Sequence, residues 1–319
     1  MKPLAVVACL DGRPGHEKQT QGVIAALMRL TPVAATEVKL PGPSIATHLK
    51  NWLVYPATLG LRAWRPLDRG RIDLIIGTGT ATHIPMLRIK GRSQARVVTC
   101  MTPDPLLRGR IDLCLVPHHD QPPRRPNVFV TIGPPGLPPR TRQADARRGL
   151  ILVGGQDEKS HVWQTALLAA QIETLVAREP DWTWTITSSP RTPGECENRL
   201  ALLAGEHPRV VFFRARETAR GWVETAYAQS AIAWVTADSI SMVYEALSAG
   251  CRVGILPVKW KKPNNKFQKS IDYLERRQMV ATYANWLHNT GEVPQPAVLD
   301  EASRCAEEIL RRWWPDRLP

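Results

Sequence analysis

The sequence predicts an α/β protein made of two doubly wound parallel-sheet domains facing a cleft. Three observations lead there. Short stretches rich in Val, Ile and Leu alternate with helical patterns along the whole chain, as they do where strands are buried on both faces of a parallel sheet. The alternation stops once, in a segment rich in Pro, Gly and Arg over 134–148, and then restarts, which is how a linker reads. The length, 319 residues, suits about two domains. The expected boundaries are 1–143, 149–297 and a C-terminal helical segment, 298–319, that packs back across the domains.

In the first half, strands are expected over 4–9, 33–38, 72–76, 96–100, 111–116 and 128–131, and helices over 16–30 and 45–64. The opening apolar run faintly resembles a signal peptide. Asp11-Gly-Arg-Pro-Gly15 cuts it short and no small-residue cleavage site follows, so it reads as the first strand. The second half predicts strands over 149–153, 183–187, 209–213, 231–235 and 252–256, with helices over 162–178, 196–204, 219–229, 239–249 and 265–277. A last helix over 300–314 has Ala302, Ala306, Ile309, Leu310 and Trp313 on one face.

Hydrophobic content is 43% and charged content 22%, as in a soluble protein with full cores. No uncharged apolar run approaches the ~18–20 residues of a membrane-spanning helix. The six cysteines form no C-x-x-C pair, and four lie in or beside expected core strands, which points to a reducing cytoplasm. A net charge of +13 points to an anionic partner. A phosphorylated substrate and an anionic membrane face are both open. The basic residues are scattered and the aromatics match no RNP-type strand, so nucleic acid is disfavoured. The mixture of aromatics and cations over 48–65 reads either as an interfacial membrane segment or, more plainly, as an amphipathic helix on its own sheet.

Thr236-Ala-Asp-Ser-Ile-Ser-Met-Val-Tyr-Glu245 follows an expected strand and opens a helix that stops at Gly250. A helix start with free N–H groups seats a phosphate. Thr236, Ser239 and Ser241 supply hydroxyls there, and Glu245, one turn on, offers a carboxylate to sugar hydroxyls. The plainer account is that Ser239 caps the helix. Other polar loops fall on the same sheet edge: Gly154 and Gly155 after the first strand, Ser188, Ser189 and Arg191 after the second, and Asn264 and Lys266 in the basic loop after the last. Glycines give room, and hydroxyls with a guanidinium give donors to phosphate oxygens.

In the first half, Asp11-Gly-Arg-Pro-Gly-His-Glu-Lys-Gln19 follows the first strand. Gly12 and Gly15 let the backbone turn tightly. His16 is a candidate base near neutral pH, and Asp11 either orients it or is itself the base. A solvated His in an ordinary strand-to-helix turn is the equal alternative. Gly77-Thr-Gly-Thr-Ala-Thr-His83 is a second hydroxyl-rich loop, in which Thr80 reads most simply as an N-cap. Asp104 and Asp120 end two further strands and are secondary candidates. His118, His119 and Asp120 have no matching ligand cluster elsewhere, so no metal site is expected. The G-x-G-x-x-G fingerprint is missing, no D-x-D occurs, and no cofactor is expected.

These motifs, with Thr187-Ser-Ser-Pro-Arg-Thr-Pro193 and Pro117-His-His-Asp120, resemble a bacterial family of glycosyltransferase-like proteins that shares its domain with a plant mitochondrial-fission factor of the ELM type. That family is similar to the GT-B enzymes, which have two Rossmann-like domains. The resemblance implies a nucleotide sugar on the second domain, with Ser239 and Ser241 at its diphosphate and Glu245 at its ribose. It implies an acceptor on the first domain, with His16 at the reacting centre. Cys100-Met-Thr-Pro-Asp-Pro105 departs from the family's His-Pro segment, so Asp104 receives no role from the resemblance. The expected activity is inverting, metal-independent glycosyl transfer to a cell-envelope glycolipid or saccharide, such as lipopolysaccharide. The expected location is the cytoplasm, with peripheral contact on the inner membrane face. A sugar-nucleotide epimerase or hydrolase is the first rival, and a non-enzymatic membrane-associated scaffold the second.

Overall fold

The computed structural model describes residues 1–41, 71–91, 93–137, 142–288 and 291–318. The expected helix over 45–64 and the aromatic and basic stretch over 48–65 lie outside them. The chain divides into two compact units, Met1–Pro138 with Asp300–Pro319, and Pro139–Leu299.

The first unit is built on six parallel strands, β1 (Leu4–Leu10), β2 (Val33–Lys39), β3 (Leu74–Gly77), β4 (Arg96–Thr99), β5 (Leu113–Pro117) and β6 (Val128–Thr131). Their order across the sheet is β2-β1-β3-β4-β5-β6. Strand alternation sends Leu4, Val6 and Ala8 to one face and Val7 and Cys9 to the other, so an all-apolar β1 is covered on both sides. Helix α1 (Pro14–Leu30) begins with Pro in its first turn, where a missing N–H costs nothing. Helix α2 (Thr80–Lys90) follows β3. β2 is an edge strand with mostly exposed side chains, unlike the buried strand its apolar residues suggested.

The second unit has six parallel strands as well, β7 (Asp145–Leu152), β9 (Thr183–Thr187), β10 (Val210–Phe213), β11 (Ser230–Thr236), β12 (Arg252–Leu256) and β14 (Ala281–Thr282). Their order is β10-β9-β7-β11-β12-β14. Helices α3 (Thr165–Arg178), α4 (Gly194–Glu206), α5 (Trp222–Gln229), α6 (Ile240–Ser248) and α7 (Lys266–Arg276) connect them, and α8 (Tyr283–His288) follows β14. β7 starts at Asp145, inside the stretch read as linker, because its first residues pair with β11 at Ser230 despite their polarity. A separate two-stranded antiparallel ladder joins β8 (His161–Val162) to β13 (Lys259–Trp260). It has no local sequence signal, since each strand is two residues long.

The final helix, α9 (Glu301–Trp313), belongs to the first unit. Its buried face, Ala302, Cys305, Ala306, Ile309 and Leu310, joins the core of α1 and β1. Asp300 caps it by accepting from Ser303 N, and the Glu301 carboxylate accepts from Ile132 N at 3.0 Å, which ties the helix start to the end of β6. Among the described residues no helix is long and apolar enough to cross a membrane.

All six cysteines are buried and unpaired. Burial pushes the thiols of Cys9, Cys100 and Cys114 up to about 12, and those of Cys196 and Cys251 up to about 11. They pack as apolar groups and supply no thiolate nucleophile.

Candidate functional site

In an open parallel sheet, ligands bind beyond the carboxyl ends of the strands, where the strand order reverses and two successive connections leave in opposite directions. The first unit reverses between β1 and β3, and the second between β7 and β11. Both reversal points carry polar side chains.

At the first, β1 is followed at once by Asp11, which is 1% exposed. One carboxylate oxygen accepts from Arg13 N at 3.1 Å and the other lies 2.8 Å from His16 Nδ1. A carboxylate oxygen accepts, so Nδ1 carries the proton and Nε2 is left as the basic nitrogen. The His16 side chain is 26% exposed, enough to meet a ligand. Asp11 therefore orients the imidazole and is too enclosed to be the base itself. Gly79 closes the other side. It has φ +104°, and a Cβ there would collide with Asp11 Oδ2 and His16 Nδ1, so glycine is required twice over. Thr20 and Thr78 hydroxyls share a buried hydrogen bond of 2.9 Å beneath the loop.

Several expectations for this loop change. Gly12 makes the turn, with φ +80°, whereas Gly15 sits inside the first turn of α1. Thr80 does not cap α2. Gly79 occupies the N-cap position, Thr80 is the first helical residue and is exposed, and no side chain caps the helix. Asp104 follows β4 and Asp120 closes a short 3-10 turn after β5. They lie one and two strands further along the same edge than Gly79.

At the second reversal point the loops are knitted together. Gly154 N donates to Thr236 Oγ1 at 2.7 Å, and Gly155 N donates to Asp238 Oδ2 at 3.0 Å. Asp238 Oδ2 also receives Arg191 Nη2 at 3.1 Å and Ser239 Oγ at 3.2 Å. Asp238 Oδ1 is buried with no hydrogen-bond partner. Ser189 Oγ donates to Gly154 O at 2.8 Å, and Thr192 Oγ1 donates to the same carbonyl. Ser188 Oγ donates to the Glu197 carboxylate at 2.6 Å and accepts from Ala215 N at 2.9 Å. A Cβ on Gly154 would land on the Asp238 carboxylate and the Ser239 hydroxyl.

This web corrects the reading of single residues. Thr236, Ser188, Ser189 and Ser239 are each at most 5–6% exposed and turn inward, and the amides of Gly154 and Gly155 are already engaged. These six residues shape the loops. Ser239 does not cap α6 either, since its hydroxyl goes to Asp238 and no side chain caps the helix. The groups that face outward are Arg191, whose side chain is 49% exposed, and Ser241 in the first turn of α6. Glu245 is half-buried on the same helix. Asn264 is exposed in the left-handed region at φ +58°, and Lys266 is exposed with its ammonium over the Phe267 ring. Asn265 between them caps α7 through Phe267 N and Gln268 N.

Sequence reasoning missed Asp238 and His161. Asp238 stands inside a quoted motif, and an acid beside a helix start was the available signal. His161 is 1% exposed, donates from Nε2 to Gly155 O at 3.1 Å and lies 2.8 Å from Ser160 Oγ through Nδ1. Its pairing with Trp260 across the small ladder had no signal at all. Among the described residues no group of three His, Cys, Asp or Glu side chains is arranged to hold a metal ion.

The sequence matches the family described as mitochondrial fission ELM1 over residues 14–313. The chain belongs to that family. This ELM1-family protein is also similar to solved structures. One is the UDP-GlcNAc 2-epimerase of Neisseria meningitidis bound to UDP-GlcNAc, at 13% identity and TM-score 0.56, over 97% of this chain and 100% of that one. Another is the kitacinnamycin glycotransferase, at 13% identity and TM-score 0.54, over 100% of both chains. A third is the glycosyltransferase SnogD of Streptomyces nogalater, at 14% identity and TM-score 0.50, over 97% and 95%. No curated protein matches the sequence. The two six-stranded parallel sheets of this ELM1-family protein are those of the GT-B fold that glycosyltransferases and UDP-GlcNAc 2-epimerases share.

Proposed function

We propose that the protein is a glycosyltransferase that uses a nucleoside-diphosphate sugar, with donor binding on the second unit and acceptor activation on the first. The observation that carries the reading is the Asp11–His16 pair at the β1–β3 reversal, a partly exposed imidazole aimed by a buried carboxylate. His16 Nε2 takes the proton of an acceptor hydroxyl as that oxygen attacks the anomeric carbon of the donor. The bond from that carbon to the diphosphate oxygen breaks, and the electron pair leaves with the diphosphate. Attack opposite the leaving group inverts the anomeric centre.

Arg191 and the uncapped start of α6 meet the charge of the leaving group. With those donors in place and no D-x-D in the sequence, the proposed mechanism is metal-independent. Ser241 supplies a further hydroxyl to the diphosphate, and Glu245 accepts from the ribose. The acceptor we assign is a cell-envelope glycolipid or saccharide, and the net charge of +13 favours work beside an anionic membrane.

A panel of nucleotide sugars in thermal-shift assays tests the reading, because a bound donor raises the melting temperature with concentration. The expected result is stabilisation by one nucleoside-diphosphate sugar and loss of that donor when an acceptor is added. Absence of binding to every nucleotide sugar sinks the proposal. Release of free sugar, or isomerised donor, without any acceptor assigns the site to an epimerase or hydrolase instead.

A further inference from the structure

Between Glu245 and Asp272 the sequence has no acidic residue, while Arg252, Lys259, Lys261, Lys262, Lys266 and Lys269 fall in that stretch. All of these lysines are exposed. The structure extends the run. At about 3.6 residues per turn, Lys266, Lys269, Tyr273 and Arg276 share one face of α7, and Arg277 continues it just past the helix end. Ser270, Ile271 and Leu274 belong to the buried face. The Trp260 and Phe267 rings stack with centroids 5.7 Å apart. That contact holds β13 against the first turn of α7 and joins Lys259 and Lys262 to the cations of the helix.

This surface is set apart by its want of counter-charges. Among the described residues, none of Lys259, Lys262, Lys266, Lys269, Arg276 and Arg277 forms an ion pair. Helix α9 shows the alternative. Its Arg304, Arg311 and Arg312 pair with Glu301 and Glu308 three or four residues away. Helix α7 has two carboxylates of its own, and both are turned to neutral donors. Asp272 Oδ1 accepts from Gln268 Nε2 at 2.7 Å. Glu275 Oε1 accepts from Thr282 Oγ1 at 2.8 Å and from Asn285 Nδ2 at 2.6 Å. Like charges gathered without counter-ions repel one another, and a polyanionic surface relieves that repulsion.

The neighbouring side chains select among polyanions. Val162 is 42% exposed and pairs with Lys259 across the small ladder. Leu167, 49% exposed, and Pro257 share a shallow depression with both. Trp260, Phe267 and Tyr273 are partly buried among the cations, with Lys266 over the Phe267 ring and Arg277 over the Tyr273 ring. A nucleic-acid backbone makes no use of exposed aliphatic side chains. Aliphatic side chains, aromatic rings and lysines together match the headgroup region of a bilayer, which is apolar on one side and charged on the other.

We propose that the surface from Lys259 to Arg277 docks the second unit on an anionic lipid leaflet. Its cations meet the phosphate head groups, and Val162, Leu167 and Pro257 reach the interface. The inference rests on the reading that the acceptor is met at an anionic membrane, and it gives that contact a place on the chain.

Vesicles of phosphatidylcholine, with and without phosphatidylglycerol, are sedimented with the intact protein at rising salt. Two triple variants are compared with it, Lys269→Gln with Arg276→Gln and Arg277→Gln on the surface, and Lys2→Gln with Arg124→Gln and Arg220→Gln away from it. All six side chains are exposed, and both triples remove the same charge. Circular dichroism and thermal melting serve as folding controls. The parent protein is expected to bind only the vesicles that contain phosphatidylglycerol, and to leave them as salt shortens the Debye length. A cation near the leaflet contributes about fivefold to partitioning, so the surface triple is expected to weaken it about 100-fold and the distant triple less than about fivefold. The loop pair Lys259→Gln and Lys262→Gln reads the same surface a second time, with an expected loss of about 25-fold.

No binding by the parent protein, equal losses in the two triples, or unchanged binding by the surface triple overturns the docking surface. Tighter binding to double-stranded RNA than to the vesicles, abolished by the surface triple, also overturns it and assigns the cations to nucleic acid. The assay contains no nucleotide sugar. Failure here therefore leaves the donor site standing, and an inert donor site leaves the vesicle result unchanged.

Discussion

The two reversal points use a buried aspartate in opposite ways. Asp11 divides its oxygens between a backbone amide and the His16 imidazole, and so holds a titratable ring at the surface. Asp238 gathers Gly155 N, Arg191 and Ser239 on one oxygen and leaves the other buried without a partner. It locks three loops to one another. The first arrangement presents a reactive group, and the second presents a shape with one half-exposed guanidinium. Hydroxyls that look like ligand contacts in a sequence serve as scaffolding where neighbouring loops compete for them, because a buried donor or acceptor left unmade costs about 1–3 kcal/mol.

The contrast can be broken experimentally, and the largest effect is expected in the first unit. His16→Ala removes the base and is expected to lower the rate of sugar transfer about 100- to 10,000-fold. Donor affinity and melting temperature should stay near those of the parent protein in calorimetry and thermal scans. Equal loss of donor binding would place His16 in the wrong role.

Gly154→Ala is expected to act on stability instead. The added methyl meets the Asp238 carboxylate and the Ser239 hydroxyl, and overpacking of this kind costs about 1–3 kcal/mol. Urea denaturation reads the change. A stability equal to the parent's would mean that the loop web is looser than its hydrogen bonds indicate.

Arg191→Ala is expected to act least on the fold, because the guanidinium is half exposed and the buried Asp238 carboxylate keeps Gly155 N and Ser239 Oγ as donors. Its effect falls on ligand affinity. The substitution strips the cation from Asp238 and leaves that carboxylate to repel a phosphate, so affinity for a nucleoside diphosphate is expected to drop about tenfold or more. Unchanged affinity in calorimetry would remove Arg191 from the diphosphate seat.

Much of the fold was legible because it is written locally. The strand at Ser230–Thr236, the helix at Ile240–Ser248 and the strand at Arg252–Leu256 follow from apolar runs, a polar turn and a glycine stop. The final helix is legible from the spacing of Ala302, Ala306, Ile309 and Leu310. The elements that went unread are those whose evidence lies far away in the chain. β8 and β13 are two residues each and exist because Val162 and Lys259 meet across the fold. The first residues of β7 look like linker and become strand only by pairing with β11.

Of the candidate site, the sequence by itself determined which loops fall at the strand ends and that His16 opens the helix that follows Asp11. Spacing along a strand or helix is a property of the local backbone, so it can be counted from residue to residue. Tertiary structure alone decided which side chains face outward. Whether Ser189, Thr236 and Ser239 point to a ligand or to one another depends on where the β7, β9 and β11 loops converge, and that convergence makes Asp238 the hub and leaves Arg191 in the open. Burial and hydrogen-bond competition are set by neighbours in space, which no stretch of sequence contains.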